Sequence, residues 1–284
     1  MLRPDDFEFL AKTLKERSGL IITPDKAYLL ESRLMPLARQ RNLKSIEEII
    51  AKMRGRDEAL ARDVTEAMTT NESFFFRDTK PFDQFRDTVL PQIMAGRTSK
   101  RSIRIWSAAC SSGQEAYSLA MLLREAAAKL SGWHVEIVGT DISAEMLEKA
   151  KAGLYSQFEV QRGLPIQMLV KYFKKKDESW QIDSSLRGMV SFREWNLLHE
   201  LRGLGQFDIV FCRNVLIYFD QPTKSRVLDN ISRQMPEDGI LYLGGAETVL
   251  GISDRFKPVA GQRGIYCISG GPAATSPFPL KASS

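Results

Sequence analysis

The chain has 284 residues, 43% apolar and 26% charged, with a formal net charge of +5. This exceeds one average domain and suffices for a sizeable core, so one large domain with a small companion is expected. No apolar run approaches the roughly 20 residues of a membrane span, and Met1-Leu-Arg-Pro-Asp-Asp6 is no signal peptide. Cys110, Cys212 and Cys267 stand far apart, without C-x-x-C spacing or a neighbouring histidine, which argues against disulfides and against a metal site. A cytoplasmic protein is expected.

From Phe7 to Asn71 the pattern is helical, punctuated at Ser18-Gly19, Thr23-Pro24, Asn42 and Gly55-Arg56. Leu29, Leu30, Leu34, Leu37 and Ala38 fall at helical spacing, while the other face collects Lys26, Arg33, Arg39, Arg41 and Lys44 against one acid, Glu31. Two readings stand for that face: a solvated charged surface, or a docking surface for an acidic partner. A bend is expected near Pro36. Phe74 to Arg97, with Pro81 and Pro91, reads as a linker.

Ile103 to Trp106 reads as a buried strand, and Ser107 to Gly113 holds no side chain larger than cysteine. A helix then follows with Leu119, Leu122, Leu123 and Ala126 on one face. Backbone in such a loop can approach a ligand closely, so the segment reads as a nucleotide-cofactor cradle. One glycine, Gly113, where a dinucleotide fold wants G-x-G-x-x-G, disfavours NAD. A second strand, Val135 to Thr140, ends in Asp141. There a doubly wound fold places a carboxylate for ribose hydroxyls, although Asp141 or Ser143 could instead cap the next helix.

Further strands are expected at Gly188 to Phe192, Phe207 to Cys212, Gly239 to Gly244 and Gly264 to Ser269, with helices at Ser143 to Lys151, Pro165 to Tyr172 and Pro222 to Met235. The alternation implies a parallel sheet covered by helices. Residues 174–193 break it: Trp180-Gln-Ile182 and Met189 to Phe192 look like strands of a small antiparallel insertion, joined by the short segment Lys174 to Ser179. Gly270 to Ser284 is rich in Gly, Pro, Ala and Ser and is expected to be disordered. The expected division is 1–73 helical, 74–97 linker, 98–269 α/β and 270–284 tail.

Three blocks taken together carry a resemblance. They are Thr69-Thr-Asn-Glu-Ser-Phe-Phe-Phe-Arg-Asp78, the cradle Ser107 to Ser118, and Phe211-Cys-Arg-Asn-Val-Leu-Ile-Tyr-Phe219. In this order and spacing the chain resembles the CheR family of chemotaxis receptor glutamate methyltransferases over roughly Phe7 to Ile268. The resemblance implies a Rossmann-like class I methyltransferase sheet with a small all-α N-terminal domain and a small antiparallel β insertion. The implied cofactor is S-adenosylmethionine, leaving S-adenosylhomocysteine, with no metal. The implied acceptor is a glutamate carboxylate on the cytoplasmic helices of methyl-accepting chemoreceptors. The two histidines, His134 and His199, lie outside the blocks and are read as ordinary surface residues.

Carried over by the resemblance, Asn71, Ser73 and Arg77 contact the cofactor, and Arg77 also orients a carboxylate. Glu115 takes the amino group, Asp141 the ribose, and Asn196 and Leu197 line the adenine. Arg213 and Asn214 form a further contacting pair, and Tyr218 stands near the transferring methyl group. Lys26, Arg33, Arg39 and Arg41 become the receptor-docking face. Structural alternatives remain open: Asn71 as a helix cap, Arg213 paired with a structural acid, Tyr218 as packing. The cradle departs from the family's Gly-Glu-Glu-Pro-Tyr-Ser, reading Gly113-Gln-Glu-Ala-Tyr-Ser118. The short Lys174 to Ser179 segment suggests recognition without a receptor tail peptide. A nucleic-acid enzyme is disfavoured, since no Asn/Asp-Pro-Pro-aromatic or Pro-Cys motif occurs. Another protein or small-molecule acceptor, or a cofactor-sensing adaptor, is the alternative. Nothing demands more than a monomer.

Overall fold

The computed structural model describes residues 2–272. The chain divides into two compact units, Met1–Thr70 with Tyr218–Thr223, and Asn71–Ile217 with Lys224–Ser284.

The first unit contains α1 (Pro4–Ser18), α2 (Ala27–Gln40), α3 (Ile46–Arg54) and α4 (Glu58–Met68). Several boundaries have a local cause. Pro4 opens α1 with Asp5 and Asp6 at its positive end, and Gly19, in the left-handed region at φ 78°, closes it. Ser45 and Asp57 cap α3 and α4, accepting from the Glu48 and Leu60 amides. Leu10, Leu14, Leu30, Leu34, Ile49, Ile50 and Val64 form the buried interior. Pro36 does not end α2, which continues through it to Gln40.

The second unit contains α5 (Lys80–Gln84), α6 (Leu90–Gly96), α7 (Gln114–Glu125), α8 (Ala144–Ala152), α9 (Gln157–Gln161), α10 (Ile166–Tyr172), α11 (Ser184–Arg187) and most of α12 (Gln221–Ser232). Its strands are β1 (Ser102–Ala108), β2 (His134–Asp141), β3 (Leu154–Ser156), β4 (Phe173–Lys176), β5 (Ser179–Ile182), β6 (Val190–Glu194), β7 (Ile209–Cys212), β8 (Ile240–Leu243), β9 (Phe256–Pro258) and β10 (Ile265–Ile268). The main sheet runs β6-β2-β1-β7-β8-β10-β9. Its first five strands are parallel, and β10 and β9 finish it antiparallel. The chain winds outward from β1 through β2 to β6, then returns to β7 on the other side of β1. The C-terminal ends of β1 and β7 therefore flank the point where the winding reverses, and open α/β sheets bind ligands there.

Two sequence expectations need correction. The segment 74–97 is no linker: it forms α5, a π-helical turn over Phe85–Val89, and α6. Phe75, Phe76, Phe82, Phe85, Val89, Leu90 and Ile93 are buried in the sheet's own core. Apolar side chains at helical spacing outweigh the punctuation by Pro81 and Pro91, because proline is tolerated in a helix's first turn.

The insertion, likewise, does not span 174–193. Its sheet has the order β3-β5-β4 and begins at Leu154. Lys174 to Ser179 is a strand followed by a tight hairpin, with Lys176 paired to Ser179 and Asp177 at φ 53°. Met189 to Phe192 does not join it: β6 pairs in parallel with β2, Ile137 opposite Val190 through Asp141 opposite Glu194. The expected tail lies mostly at 273–284, outside the described residues.

Candidate functional site

Three loops after β1, β2 and β7 build the site. The first, Ala109 to Gly113, turns back on itself with Ala109 at φ 54°, Ser111 at φ 49° and Gly113 at φ 89°. Gly113 is obligatory here: an added Cβ would lie 2.9 Å from Ala150 Cβ and 3.0 Å from Phe192 Cζ, in a backbone region that L side chains avoid. The loop is held from several sides. The Cys110 amide donates to Thr140 O (2.9 Å), the buried Tyr155 hydroxyl of β3 donates to Ser112 O (2.7 Å), and Ser111 Oγ donates to Asn71 O (3.2 Å). Gln114, where the family pattern has an acid, is buried and accepts from Ser112 Oγ (2.9 Å). A neutral amide thus braces the loop without burying a second charge.

At the tip of β2, Asp141 is 6% exposed. Its Oδ2 accepts from the Ser111 amide (2.8 Å) and its Oδ1 from the Ser143 amide (2.9 Å). Ser143, not Asp141, is the cap of α8, accepting from the Met146 amide. Asp141 thereby ties the end of β2 to the first loop and to the start of α8. The Trp195 amide donates to Asp141 O (2.9 Å), so the segment that continues into Asn196 and Leu197 leaves from the end of β2. Asn196 Oδ1 accepts from the Leu198 amide (2.9 Å) in a local turn, and Leu197 is buried.

Arg213, just past β7, is the electrostatic centre. Its side chain is 1% exposed. Nη1 donates to Glu115 Oε2 (2.9 Å), and Nη2 to Asp78 Oδ2 (2.7 Å) and to Arg77 O (2.9 Å). Ser107 Oγ completes the setting of Glu115 by donating to Oε1 (2.8 Å). One guanidinium thus ties the Thr-Thr-Asn block, the cradle and its own block together. Two carboxylates against one arginine leave one net negative charge, which suits a cationic ligand group. Arg213 Nε is buried without a hydrogen-bond partner among the described residues. The chain approaches Arg213 through strained backbone, with Phe76, Asp78 and Thr79 all at φ between 48° and 70°.

The remaining candidates sort by position. Asn71 and Ser73 lie on the segment whose Asn71 carbonyl meets the cradle. Arg77 donates to Glu72 O (2.8 Å) and lies over the Phe74 ring (5.4 Å). Asn214 sits at φ 59°, its amide bound to Glu247 Oε2 (2.8 Å). Glu247, absent from the sequence reading, collects four backbone amides around this loop. Tyr218 groups with the first unit, where its carbonyl accepts from the Ile21 amide (3.0 Å). In α2, Arg33 spends its donors on Met68 O (2.7 Å), Thr69 O (2.9 Å) and Thr70 Oγ1 (3.1 Å), closing the end of α4. Arg41 is paired with Asp63, whereas Lys26 and Arg39 are exposed. Burial pushes the Cys110 thiol and the Tyr117 and Tyr155 hydroxyls up, so all three stay protonated.

Residues 71–265 match the model for the CheR methyltransferase SAM-binding domain, and residues 5–69 that for the CheR methyltransferase all-alpha domain. The chain belongs to the CheR methyltransferase family. It is 40% identical over 264 residues to chemotaxis protein methyltransferase 1 of Pseudomonas aeruginosa, covering 92% of this chain and 96% of the relative. It is 38% identical to chemotaxis protein methyltransferase Cher2 of Pseudomonas putida over 265 residues, with the same coverage. Against chemotaxis protein methyltransferase 1 of Vibrio cholerae it is 39% identical over 264 residues, 92% and 95% of the two chains. This CheR protein is an S-adenosylmethionine-dependent methyltransferase.

The residues fit that cofactor. The cluster around Arg213 carries net negative charge, and one guanidinium N–H there stands buried without a partner among the described residues. Among the described residues, no group of three or more His, Cys, Asp and Glu forms a metal-binding cluster. Nor is any helix among them long and apolar enough to cross a membrane.

Proposed function

We propose that this chain methylates glutamate side chains on the cytoplasmic helices of a chemoreceptor, forming methyl esters that adapt chemotactic signalling. The observation that carries the reading is the Arg213 junction, which joins Asp78, Glu115 and the loop of Asn214 into one site. Relatives named chemotaxis protein methyltransferases, matched along nearly their whole length, support the reading.

When bound, S-adenosylmethionine supplies a methyl group already activated by its sulfonium. Asp141 would accept from the ribose hydroxyls, Glu115 would take the amino group, and Asn196 and Leu197 would flank the adenine. Asn71, Ser73, Arg77, Arg213 and Asn214 would complete the holding set. An acceptor glutamate, with an ordinary pKa of about 4.3, is ionised at neutral pH and attacks without a general base. The protein's task is then alignment and partial dehydration of that carboxylate. Arg77 would steer it with a forked donor, Tyr218 would stand beside the reacting methyl, and the exposed Lys26 and Arg39 would meet the acidic receptor helix. Esterification removes one negative charge from that helix and so shifts the receptor's signalling balance. The setting is the cytoplasm.

The test is transfer of tritium from methyl-labelled S-adenosylmethionine to cytoplasmic receptor fragments, followed by alkaline release of volatile methanol. Base-labile label in the wild type, reduced in Arg77→Ala and in Tyr218→Phe, is expected. Label that resists base would contradict a carboxyl acceptor.

A further inference from the structure

We infer that Glu247 is a positioning residue for methyl transfer: its carboxylate sets the backbone of the loop that carries Asn214. The inference rests on the reading of Asn214 as a cofactor contact. Glu247 follows β8 and is half-buried. Its Oε2 accepts from the Gly244 amide (2.6 Å) and the Asn214 amide (2.8 Å). Its Oε1 accepts from the Val215 amide (2.9 Å) and the Ile217 amide (3.3 Å). The turn closes on itself, because the Glu247 amide donates to Gly244 O (2.9 Å).

These four amides cannot be served in the usual way. Asn214 is left-handed at φ 59°, so β7 stops pairing at Cys212 and the chain turns off the sheet. Amides leaving a strand end in this way need an acceptor. A carboxylate offers acceptors on both oxygens and no donor, whereas an amide of the same shape would put an NH2 against two N–H groups. The requirement is therefore for charge and acceptor count, beyond size.

Gly244 supports the same reading independently. Its backbone is not left-handed, yet an added Cβ would lie 2.7 Å from Asn214 Oδ1, 2.8 Å from Glu247 Oε2 and 3.0 Å from Asn214 N. The absent side chain is what lets the carboxylate and the Asn214 loop meet. Within the second unit, β7 and β8 are parallel neighbours, so this clamp spans their C-terminal ends. The ion pairs of Arg97 with Asp208 and Asp238 sit at the opposite, N-terminal ends of the same strands.

The experiment compares full-length Glu247→Gln, Glu247→Asp, Gly244→Ala, Asn214→Ala and Arg97→Ala. It measures calorimetric affinity for S-adenosylhomocysteine, KM and kcat for methyl transfer, and Tm. Glu247→Gln is expected to weaken product affinity by about tenfold or more, the scale of losing charge-assisted bonds to the loop, and to lower kcat at saturating cofactor. Glu247→Asp, which keeps the charge but shortens the reach, should fall between Gln and wild type. Gly244→Ala should reproduce the loss while keeping the charge, because its Cβ would push Glu247 Oε2 and the Asn214 loop apart. Arg97→Ala should lower Tm while leaving affinity and kcat unchanged, which separates positioning from plain instability. If Glu247→Gln binds and turns over like wild type while Asn214→Ala is impaired, the inference is overturned and the cofactor reading stands. If Asn214→Ala binds like wild type, the reading of that loop as a cofactor contact fails. If Glu247→Gln does not fold, Gly244→Ala decides: wild-type affinity there overturns the inference.

Discussion

Arg213 is a full charge held where water scarcely reaches, and two of its three partners are carboxylates from other parts of the sequence. Removing one partner of such a pair strands the others, so Arg213→Met should destabilise the fold by about 3 kcal/mol, measured by urea unfolding. It should also abolish measurable cofactor affinity, because Glu115 loses the donor that orients it. Retained affinity would mean that Ser107 alone sets Glu115. Gly113→Ala combines a left-handed φ with contacts of 2.9 and 3.0 Å, so a stability loss of about 1–3 kcal/mol and weakened S-adenosylhomocysteine binding are expected by calorimetry. The sequence marked Gly113, Glu115, Asp141, Arg213 and Asn214 as residue types in a pattern, but not their partners. Glu247 escaped it for a physical reason: its partners are backbone amides, which every sequence has, and only the path of the chain brings four of them together.

At the level of elements, the segment 218–223 is anchored in the first unit by Lys15 of α1, which pairs with Asp220 at 2.7 Å. The Lys15 ammonium, with help from Thr223, holds the Asp220 carboxyl down at about 2 against an ordinary 3.8. A carboxyl depressed on folding contributes stability that is fully present above its unfolded value and is lost as pH falls through its folded one. The Tm difference between wild type and Asp220→Asn should therefore be constant above about pH 5 and close between 3.8 and about 2. A gap still undiminished at pH 2 would contradict the assignment. Arg33 predicts a separate effect. Because it closes the carbonyl end of α4, Arg33→Ala should cost about 1 kcal/mol or more in thermal unfolding, even before any receptor is added.

Elements with strong periodicity were legible. β7 and β8 were expected as strands, and α8, α10 and α12 were expected within a few residues of their bounds. The short ones were not. β3 and β9 are three residues each, too brief to establish alternation, and Pro258 in β9 argues locally against a strand. β6 and β5 looked alike as short apolar runs, and only pairing assigns the first to the main sheet and the second to the insertion.

Across the whole molecule, the order of the main sheet explains why the loops that carry Glu115, Asp141 and Arg213 lie at one end of it. β2, β1 and β7 are adjacent and parallel, so the loops leaving them emerge at the same end. The class of fold was visible from the alternation of elements and from the three motif blocks. The clamp at Arg213 was not, because it depends on the return of the chain to β7 beside β1. Whether glutamate carboxylates are the acceptors is read by mass spectrometry of a receptor cytoplasmic fragment after reaction with trideuteromethyl-labelled S-adenosylmethionine. The trideuteromethyl increment is expected on glutamate side chains of the receptor's acidic helices, lost on mild alkaline treatment and absent with Arg213→Met. An increment on lysine, cysteine or asparagine, stable to alkali, would contradict it.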